Sequence, residues 1–444
     1  MPISQIVTNS IADANVTAAK LSGDAFSAQI FKPSITSPAN NATGITDGQL
    51  FTASPYLSLY GRSQANAQWE ISTSSSFAFL NVSSTITGSN TQFQANASSG
   101  LTESTVHYIR VRYSDDANNS SDYSNTVQFT TGTFAIPVNF LVIAGGGGGG
   151  IYGGGGGAGG YRSSIGSSGG PSAAESQLSL NASTNYAVTV GAGGSGGTGG
   201  APPDAPYQTL VTSGSNSTFS TITSIGGGKA SQSGADNGAT GGSGGGATYG
   251  GAPLTPGGFP KAGTPGQGNA GGTGVYGPSP PGSNVYLGGG GGGAGSVGGN
   301  ADASPAVARA GPGGSGIDSS ITGSPVLRAG GGGGGAASGG PSYGPSSGGN
   351  PGPGGGGAGA AGLNNGAPGT TNTGGGGGGA GVTNAPGAFI YGGTGNGGSG
   401  VVILRYPNAR TIANPGGGLT LSSSPSGSNT VTTITAGTGN VSWS

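Results

Sequence analysis

Apolar residues first recur with a period of five, between residues 1 and 32. Five residues fit neither the 3.6-residue turn of an α-helix nor the two-residue repeat of a strand. Because such short pentads bury little surface alone, we predict an arm that docks on a neighbouring chain or a larger assembly. A chance spacing in a flexible tail is the alternative. The docking positions are Ile6, Ile11, Val16, Leu21 and Phe26.

From residue 33 to 131 the pattern becomes that of strands. "AQWEISTS" alternates around Trp69 and Ile71, and "HYIRVRYSD" places Ile109 and Val111 on one face with arginines on the other. Turns rich in Ser, Asn, Asp and Gly separate these runs. Short alternating strands with such turns predict a β-sandwich of about seven strands.

The segment 134–415 is rich in glycine and lies between the two most apolar runs of the chain, 138–143 and 401–406. If these two strands pair, everything between them forms one closed unit. A flexible linker is the alternative, but a linker does not usually begin and end with matching apolar strands.

Further strands are predicted inside and after this segment. Residues 177–191 are typical of a hairpin that turns at "NASTN", and 208–228 holds two more strand-like pieces. Residues 416–444 predict a C-terminal β segment whose packing is anchored by Trp443. The predicted fold class is therefore all-β.

The chain has 107 glycines, which recur in runs of up to six with Pro, Asn, Ser and Thr between them. Ordering glycine costs about 0.5–1 kcal/mol per residue relative to alanine. Polyglycine can form the left-handed helix of three residues per turn, whose backbone groups point outward. Neighbouring helices without Cβ atoms can then approach and bond main chain to main chain. Six consecutive glycines break the strict third-residue glycine of collagen, so we predict a stack of polyglycine II helices.

Composition narrows the functional classes. Only 6% of residues are charged and the net charge is −1, which argues against a nucleic-acid partner or an acidic membrane. No apolar run approaches the roughly 18 residues of a membrane span, so no membrane insertion is predicted. The opening "MPISQIVTNS" lacks the pattern of a secretory signal. Without cysteine there is no disulfide or thiolate metal site, and no metal or cofactor is predicted.

Catalysis has weak support in the sequence. A glycosidase needs two carboxylates around one bond, whereas the acids of the glycine-rich segment are scattered and form no recognisable pair. We predict that the protein is not an enzyme, with a depolymerase as the alternative. The single histidine, His107, is expected to be structural. The acids are Glu175, Asp204, Asp236, Asp302 and Asp318.

Aromatic residues stand among the spacers between glycine runs, where loop tips are expected. An exposed tyrosine offers a flat apolar face and a polar group at low entropic cost. We predict that these rings include the contacts to a receptor. The alternative is that each ring folds back and caps the end of the glycine stack. The predicted receptor-binding residues are Tyr249, Phe259, Tyr276, Tyr286 and Tyr343.

Three stretches resemble known families. "IADANVTAAKLSG" resembles N-terminal segments of bacteriophage tail-fibre proteins. Residues 33–131 resemble a fibronectin type III domain in "KPSITSPANNATGI", in Trp69 and in the final "SDYSNTVQFTT", although the family often has a tyrosine where His107 stands. "FLVIAGGGGGG", "YAVTVGAGGSGG" and "GGSGVVILRYP" resemble glycine-rich domains of phage tail fibres and adhesins, marine phages especially.

This resemblance implies a tail fibre or receptor-binding adhesin, located in the virion tail and made in the host cytoplasm. The arm would bind other virion tail proteins, the type III-like domain would act as a spacer, and loops of the glycine stack would contact a host surface glycan or outer-membrane protein. A homotrimer is the simplest assembly. The alternatives are a purely structural decoration of tail or capsid and, less favoured, an antifreeze protein, which would need neither arm nor spacer.

Overall fold

The computed structural model describes residues 30–59, 61–96, 99–151, 153–199, 210–232, 238–248, 259–279, 283–304, 308–337, 346–385 and 388–444. The five docking positions Ile6, Ile11, Val16, Leu21 and Phe26 lie outside these residues. The chain divides into two compact units, Met1–Ala135 (unit 1) and Ile136–Ser444 (unit 2). The described part consists of strands and extended runs without an α-helix, so the predicted all-β class is confirmed.

Unit 1 is a sandwich of two sheets around one apolar core. One sheet has the order β1-β3-β6, and the other has the order β2-β8-β7-β4-β5. Phe51 and Phe93 from the first sheet pack with Trp69, Val111 and Phe129 from the second. The strands are β1 (Ile35–Ser37), β2 (Ala42–Ile45), β3 (Leu50–Ala53), β4 (Gln64–Ser72), β5 (Val82–Thr87), β6 (Gln92–Gln94), β7 (Val106–Asp115) and β8 (Val127–Thr131).

His107 lies in this core, as expected of a structural histidine. It is fully buried, and its ring stacks on Phe129 with centroids 5.5 Å apart. Asp115, at the end of β7, is buried although it adjoins a turn. Its carboxylate is buried and accepts hydrogen bonds from the backbone of Ala117 and from Asn119, whereas the neighbouring Asp116 is exposed.

Unit 2 begins with a large sheet, the basal sheet, of order β10-β9-β25-β28-β14-β15-β16. Its strands and the smaller pairs of unit 2 are β9 (Ile136–Ile143), β10 (Tyr161–Ser163), β11 (Ser167–Ser168), β12 (Ser172–Ala173), β13 (Leu178–Leu180), β14 (Tyr186–Thr189), β15 (Ser217–Phe219), β16 (Ile222–Ser224), β17 (Val275–Ser279), β18 (Ser283–Leu287), β19 (Ala308–Arg309), β20 (Ile317–Ser319), β21 (Val326–Arg328), β22 (Ser346–Ser347), β23 (Val382–Ala385), β24 (Ala388–Tyr391), β25 (Val401–Pro407), β26 (Ile412–Ala413), β27 (Leu419–Ser426) and β28 (Asn429–Trp443).

The two apolar strands that bracket the glycine-rich segment pair as predicted. β9 and β25 are antiparallel, with Val401 opposite Ile143 and Arg405 opposite Asn139. β28 continues the sheet beyond β25, and its Trp443 is buried against Tyr186, Phe219 and Tyr406. The chain of unit 2 therefore enters and closes at the same sheet.

Two local predictions are wrong. β13 and β14 do not form a hairpin, because β13 pairs with β9 whereas β14 pairs with β28 and β15. In these pairings Leu180 and Val188 are buried in the core of the basal sheet. Residues 210–214 are not a strand either. They form an extended run whose Thr212 exchanges backbone hydrogen bonds with Ser195 and Gly148.

The first six-glycine run, 145–150, has the geometry of a polyglycine II helix. None of its N–H groups bonds inside the run, and their direction repeats every third residue, as three residues per turn require. All six N···O distances lie between 2.8 and 3.0 Å. Gly145 and Gly148 donate to carbonyls in 212–215, Gly146 and Gly149 to carbonyls in 395–398, and Gly147 and Gly150 to carbonyls in 154–157.

The carbonyl groups of this run accept bonds from three further directions. The donors from these directions are Gly194, Gly227 with Ala230, and Gly377 with Ala380, and Gly153 adds a turn bond to Gly150. Run 145–150 is thus surrounded by six neighbouring runs. The runs 288–293 and 330–335 likewise lie inside the stack and bond to neighbours on all sides. The core of this region is main chain bonded to main chain, which confirms the predicted glycine core.

Candidate binding surface

The glycine runs alternate in direction, so their ends gather at two faces. The basal face adjoins the basal sheet, where Ile143, Ala158, Tyr161, Ala294 and Ala329 share one buried cluster. Run 145–150 leaves this face directly after β9 and ends at Ile151. Run 288–293 travels in the opposite sense and ends at Ala294. We call the face at which run 145–150 ends the distal face.

A small apolar layer closes the distal face. Ile151, Ala337, Val382 and Tyr391 are buried together, and Tyr286 packs against them while staying partly exposed. Each of the first two residues follows a glycine run, and Val382 and Tyr391 belong to the hairpin β23–β24. Sequence reasoning missed these four residues. The first larger apolar residue after a glycine-rich run is a signal that could have found Ile151 and Val382, but it does not mark Ala337 or Tyr391.

The hairpin β17–β18 brings two of the predicted receptor residues together. Tyr276 and Tyr286 are directly opposed on its two strands, with ring centroids 4.9 Å apart and planes inclined by 41°. The opposite face of the hairpin carries Val275, Val285 and Leu287, which pack with alanines of the neighbouring runs. The alternation of the strands therefore fixes the tyrosine pair on one side of an anchored hairpin.

The other predicted receptor residues have separate outcomes. Phe259 is 72% exposed. Tyr249 and Tyr343 lie outside the described residues. Tyr286, by packing on the apolar layer, also fits the alternative that rings cap the stack. The described part of the chain thus joins Tyr276 and Tyr286 into one surface, which we call the tyrosine pair.

Among the described residues of unit 2, the shifted pKa values belong to buried groups at the basal sheet and to Arg328, which interacts with Tyr161. Burial raises the pKa of Tyr161 to about 12, raises the pKa of Tyr406, and lowers the pKa of Arg328. Tyr161 lies in the basal cluster, and Tyr406 in the core of the basal sheet. Among the described residues, no three His, Cys, Asp or Glu side chains stand close enough to share a metal ion.

The three acids of the glycine-rich segment that the structure describes stand on separate elements. Glu175 is held in an ion pair by Arg162, with both guanidinium distances between 2.5 and 2.8 Å. Asp302 lies on an outer run, and Asp318 is on the hairpin β20–β21. Asp204 and Asp236 are outside the described residues.

In the part of the chain that the structure describes, no helix has the length and apolarity needed to cross a membrane.

Comparison with known proteins gives a family but no close relative. The profile of a family described as a glycine-rich domain matches residues 120–407, well over half of the chain. No curated protein matches the sequence. One solved structure that resembles part of the chain is a Streptomyces avermitilis alpha-L-rhamnosidase complexed with L-rhamnose. It is 15% identical, with a TM-score of 0.18 over 37% of this chain and 18% of that structure, too weak a likeness to carry an argument.

Proposed function

Because the chain belongs to the glycine-rich domain family, we propose that its stack serves as a rigid display unit of a phage tail fibre or adhesin. In this proposal the protein attaches the virion to a host cell surface and performs no catalysis. The N-terminal arm binds other tail proteins, unit 1 is a spacer of fibronectin type III kind, and the assembled fibre is a homotrimer. The host partner is a surface glycan or an outer-membrane protein.

The observation that supports the proposal is the separation of the two faces of the stack. The basal face is covered by the basal sheet, which contains β9 and β25, the strands at the two ends of the glycine-rich segment. The distal face carries the tyrosine pair on an anchored hairpin. A main-chain core holds this face rigid, and a preorganised surface loses little entropy on binding. Such a division suits an element fixed at one end and used at the other.

The test is cell binding by the full-length protein. Fluorescently labelled protein is mixed with a panel of bacterial strains, and bound label is measured after washing, with heat-denatured protein as the control. Saturable binding to some strains and not to others is expected. Uniform absence of binding, together with incorporation of the protein into phage particles, would favour a structural decoration of tail or capsid.

A further inference from the structure

A polar cleft lies on the side of the glycine stack, where three outer runs meet. Runs 298–303 and 308–314 are antiparallel neighbours, since Asp302 and Arg309 exchange two backbone hydrogen bonds of 2.8 Å. Run 346–352 borders the second of them on the other side, through Ala310 bonded to Ser347. The cleft between them has a volume of about 500 Å³.

The three-residue period of the runs decides which side chains face the cleft. Arg309 and Pro312 are three residues apart and both exposed on the middle run. Ser347 and Asn350 have the same spacing on the next run, and Asn300 stands on the first. At about 3.1 Å of rise per residue, equivalent positions repeat about every 9 Å. The runs therefore hold the side chains that line the cleft at fixed positions on a main-chain lattice.

Asp302 and Arg309 stand side by side on paired backbones without an ion pair between their side chains. Elsewhere in the described chain, neighbouring opposite charges do form ion pairs. The guanidinium of Arg162, for example, lies 2.5 Å from the carboxylate of Glu175. One carboxylate oxygen of Asp302 accepts the backbone N–H of Ser304 at 2.9 Å, and this bond holds the carboxylate in place. An acceptor and a five-donor guanidinium thus remain directed to solvent within one cleft.

Asn300 has a fixed role beside them. Its Oδ1 atom accepts the backbone N–H of Thr273 at 2.9 Å, which leaves its two amide hydrogens for a partner in the cleft. Pro312 and Ala310 supply a small apolar area among the polar groups. Paired donors and acceptors around an apolar area complement a sugar ring, whose hydroxyls both donate and accept and whose C–H face is apolar.

Other ligand classes fit less well. A polyanion would meet the carboxylate of Asp302, and one arginine is too little charge for a nucleic-acid backbone. A drug-like apolar ligand needs walls that are mainly hydrophobic, whereas about half of this lining is polar and it includes two charged side chains. We propose that the cleft formed by Asn300, Asp302, Arg309, Ser347 and Asn350 binds a neutral saccharide. This inference rests on the proposed function and names the glycan of the cell surface as its partner.

The experiment uses the full-length protein on an array of immobilised neutral oligosaccharides built from hexoses and deoxyhexoses, with oligogalacturonate as the acidic probe. The variants are Asp302→Asn, Arg309→Gln and the double variant. Asp318→Asn is the matched control, because it removes an exposed carboxylate on the hairpin β20–β21. Binding to at least one neutral oligosaccharide is expected, with affinity lowered about tenfold or more by each cleft substitution and unchanged by the control. Unchanged thermal unfolding shows that the variants fold.

Three results would overturn the proposal: no neutral oligosaccharide binds, oligogalacturonate alone binds, or the double variant binds like the parent. Cell binding by the same double variant separates this inference from the proposed function. If it binds cells and oligosaccharides like the parent, the cleft proposal fails and attachment stands. If the parent binds oligosaccharides through the cleft but no cell, attachment fails and the cleft proposal stands.

Discussion

Gly333 and Gly349 approach each other so closely that a Cβ atom on Gly333 would lie less than 3.0 Å from the carbonyl oxygen of Gly349. Neither residue can retreat easily. Gly333 donates its N–H to Gly357, and Gly349 donates its own to Gly334 at 2.7 Å. The lack of a side chain at these positions is therefore what allows the runs to bond at all.

We predict that Gly333→Val destabilises unit 2 severely. Overpacking typically costs about 1–3 kcal/mol, and here the obstructing atom is a backbone oxygen that is itself part of the lattice. A loss of about 2 kcal/mol corresponds to a fall in Tm of about 3 °C for a unit as large as Ile136–Ser444. Differential scanning calorimetry of the full-length protein measures it.

Gly393→Ala is the matched control for this prediction. Gly393 also belongs to a glycine-rich run, but a Cβ there would lie 3.4 Å from the side chain of Asn365 and 3.7 Å from the carbonyl oxygen of Gly197, which are ordinary contact distances. We expect its Tm to stay within about 1 °C of the parent. Equal midpoints for Gly333→Val and the parent would contradict a main-chain core.

Tyr276→Ala is expected to weaken cell binding without unfolding the protein. Tyr276 is partly exposed and contacts Tyr286, whereas Tyr286 also packs on the apolar layer and is less suitable for truncation. Loss of a tyrosine that is an interface hot spot costs about 2 kcal/mol, roughly thirtyfold in affinity. The measurement is a saturation curve on a strain that the parent binds.

Phe79→Ala controls for the general loss of an exposed ring, because Phe79 is 84% exposed on unit 1. It should bind cells like the parent. If Tyr276→Ala and the parent give the same saturation curve, the tyrosine pair is not part of the receptor site.

Removal of the N-terminal arm should abolish incorporation into particles and leave both units folded. The truncation should end at residue 29, because Ile30 is buried in the core of unit 1 and forms a bridge with Ser58. Incorporation is measured by phage complementation with the truncated protein. A truncated protein that joins particles normally would show that the arm does not dock.

His107 should make unit 1 less stable as the pH falls. Burial lowers the pKa of His107, and this outweighs its backbone hydrogen bond to Thr102, which acts in the opposite direction. The unfolded chain therefore binds a proton first, near the ordinary value of about 6.5. The stabilising effect is complete above that pH and is lost as the pH falls from it toward the lower folded-state pKa.

Hydrogen exchange in β7 and β8, corrected for intrinsic rates, measures this effect between about pH 8 and pH 5. In His107→Gln, which cannot titrate, the protection of these strands should change less over the same range. Parallel pH profiles for the two proteins would exclude His107 as the titrating group.

Sequence analysis predicts the pairing of a strand well when the sequence also marks its partner. β9 and β25 are the most apolar runs and flank the same segment, so their pairing follows from covering each other. β14 could not be placed in this way. Its partner β28 lies far along the chain, and its partner β15 follows a long glycine-rich stretch. Alternation defines a strand, but it does not define the neighbour.

The candidate surface was less predictable for a related reason. Tyr276 and Tyr286 could be identified as spacer aromatics, but their pairing depends on the hairpin register. Asn300, Asp302 and Arg309 are inconspicuous in sequence, since only the lateral order of the runs brings them together. That order is set by hydrogen bonds between identical glycines, which leave no mark on the pattern of side chains.

The main-chain core has a consequence for the heat capacity of unfolding. Exposing apolar surface raises the heat capacity, whereas exposing polar surface lowers it, and ordinary domains reach a net of about 12–15 cal/mol/K per residue. Unfolding of the runs 145–150, 288–293 and 330–335 exposes chiefly peptide groups, because they bury no side chains. The glycine stack therefore reduces the curvature of the free energy of unfolding of unit 2 against temperature. With less curvature, this free energy falls less on cooling, where the stabilisation by apolar cores weakens.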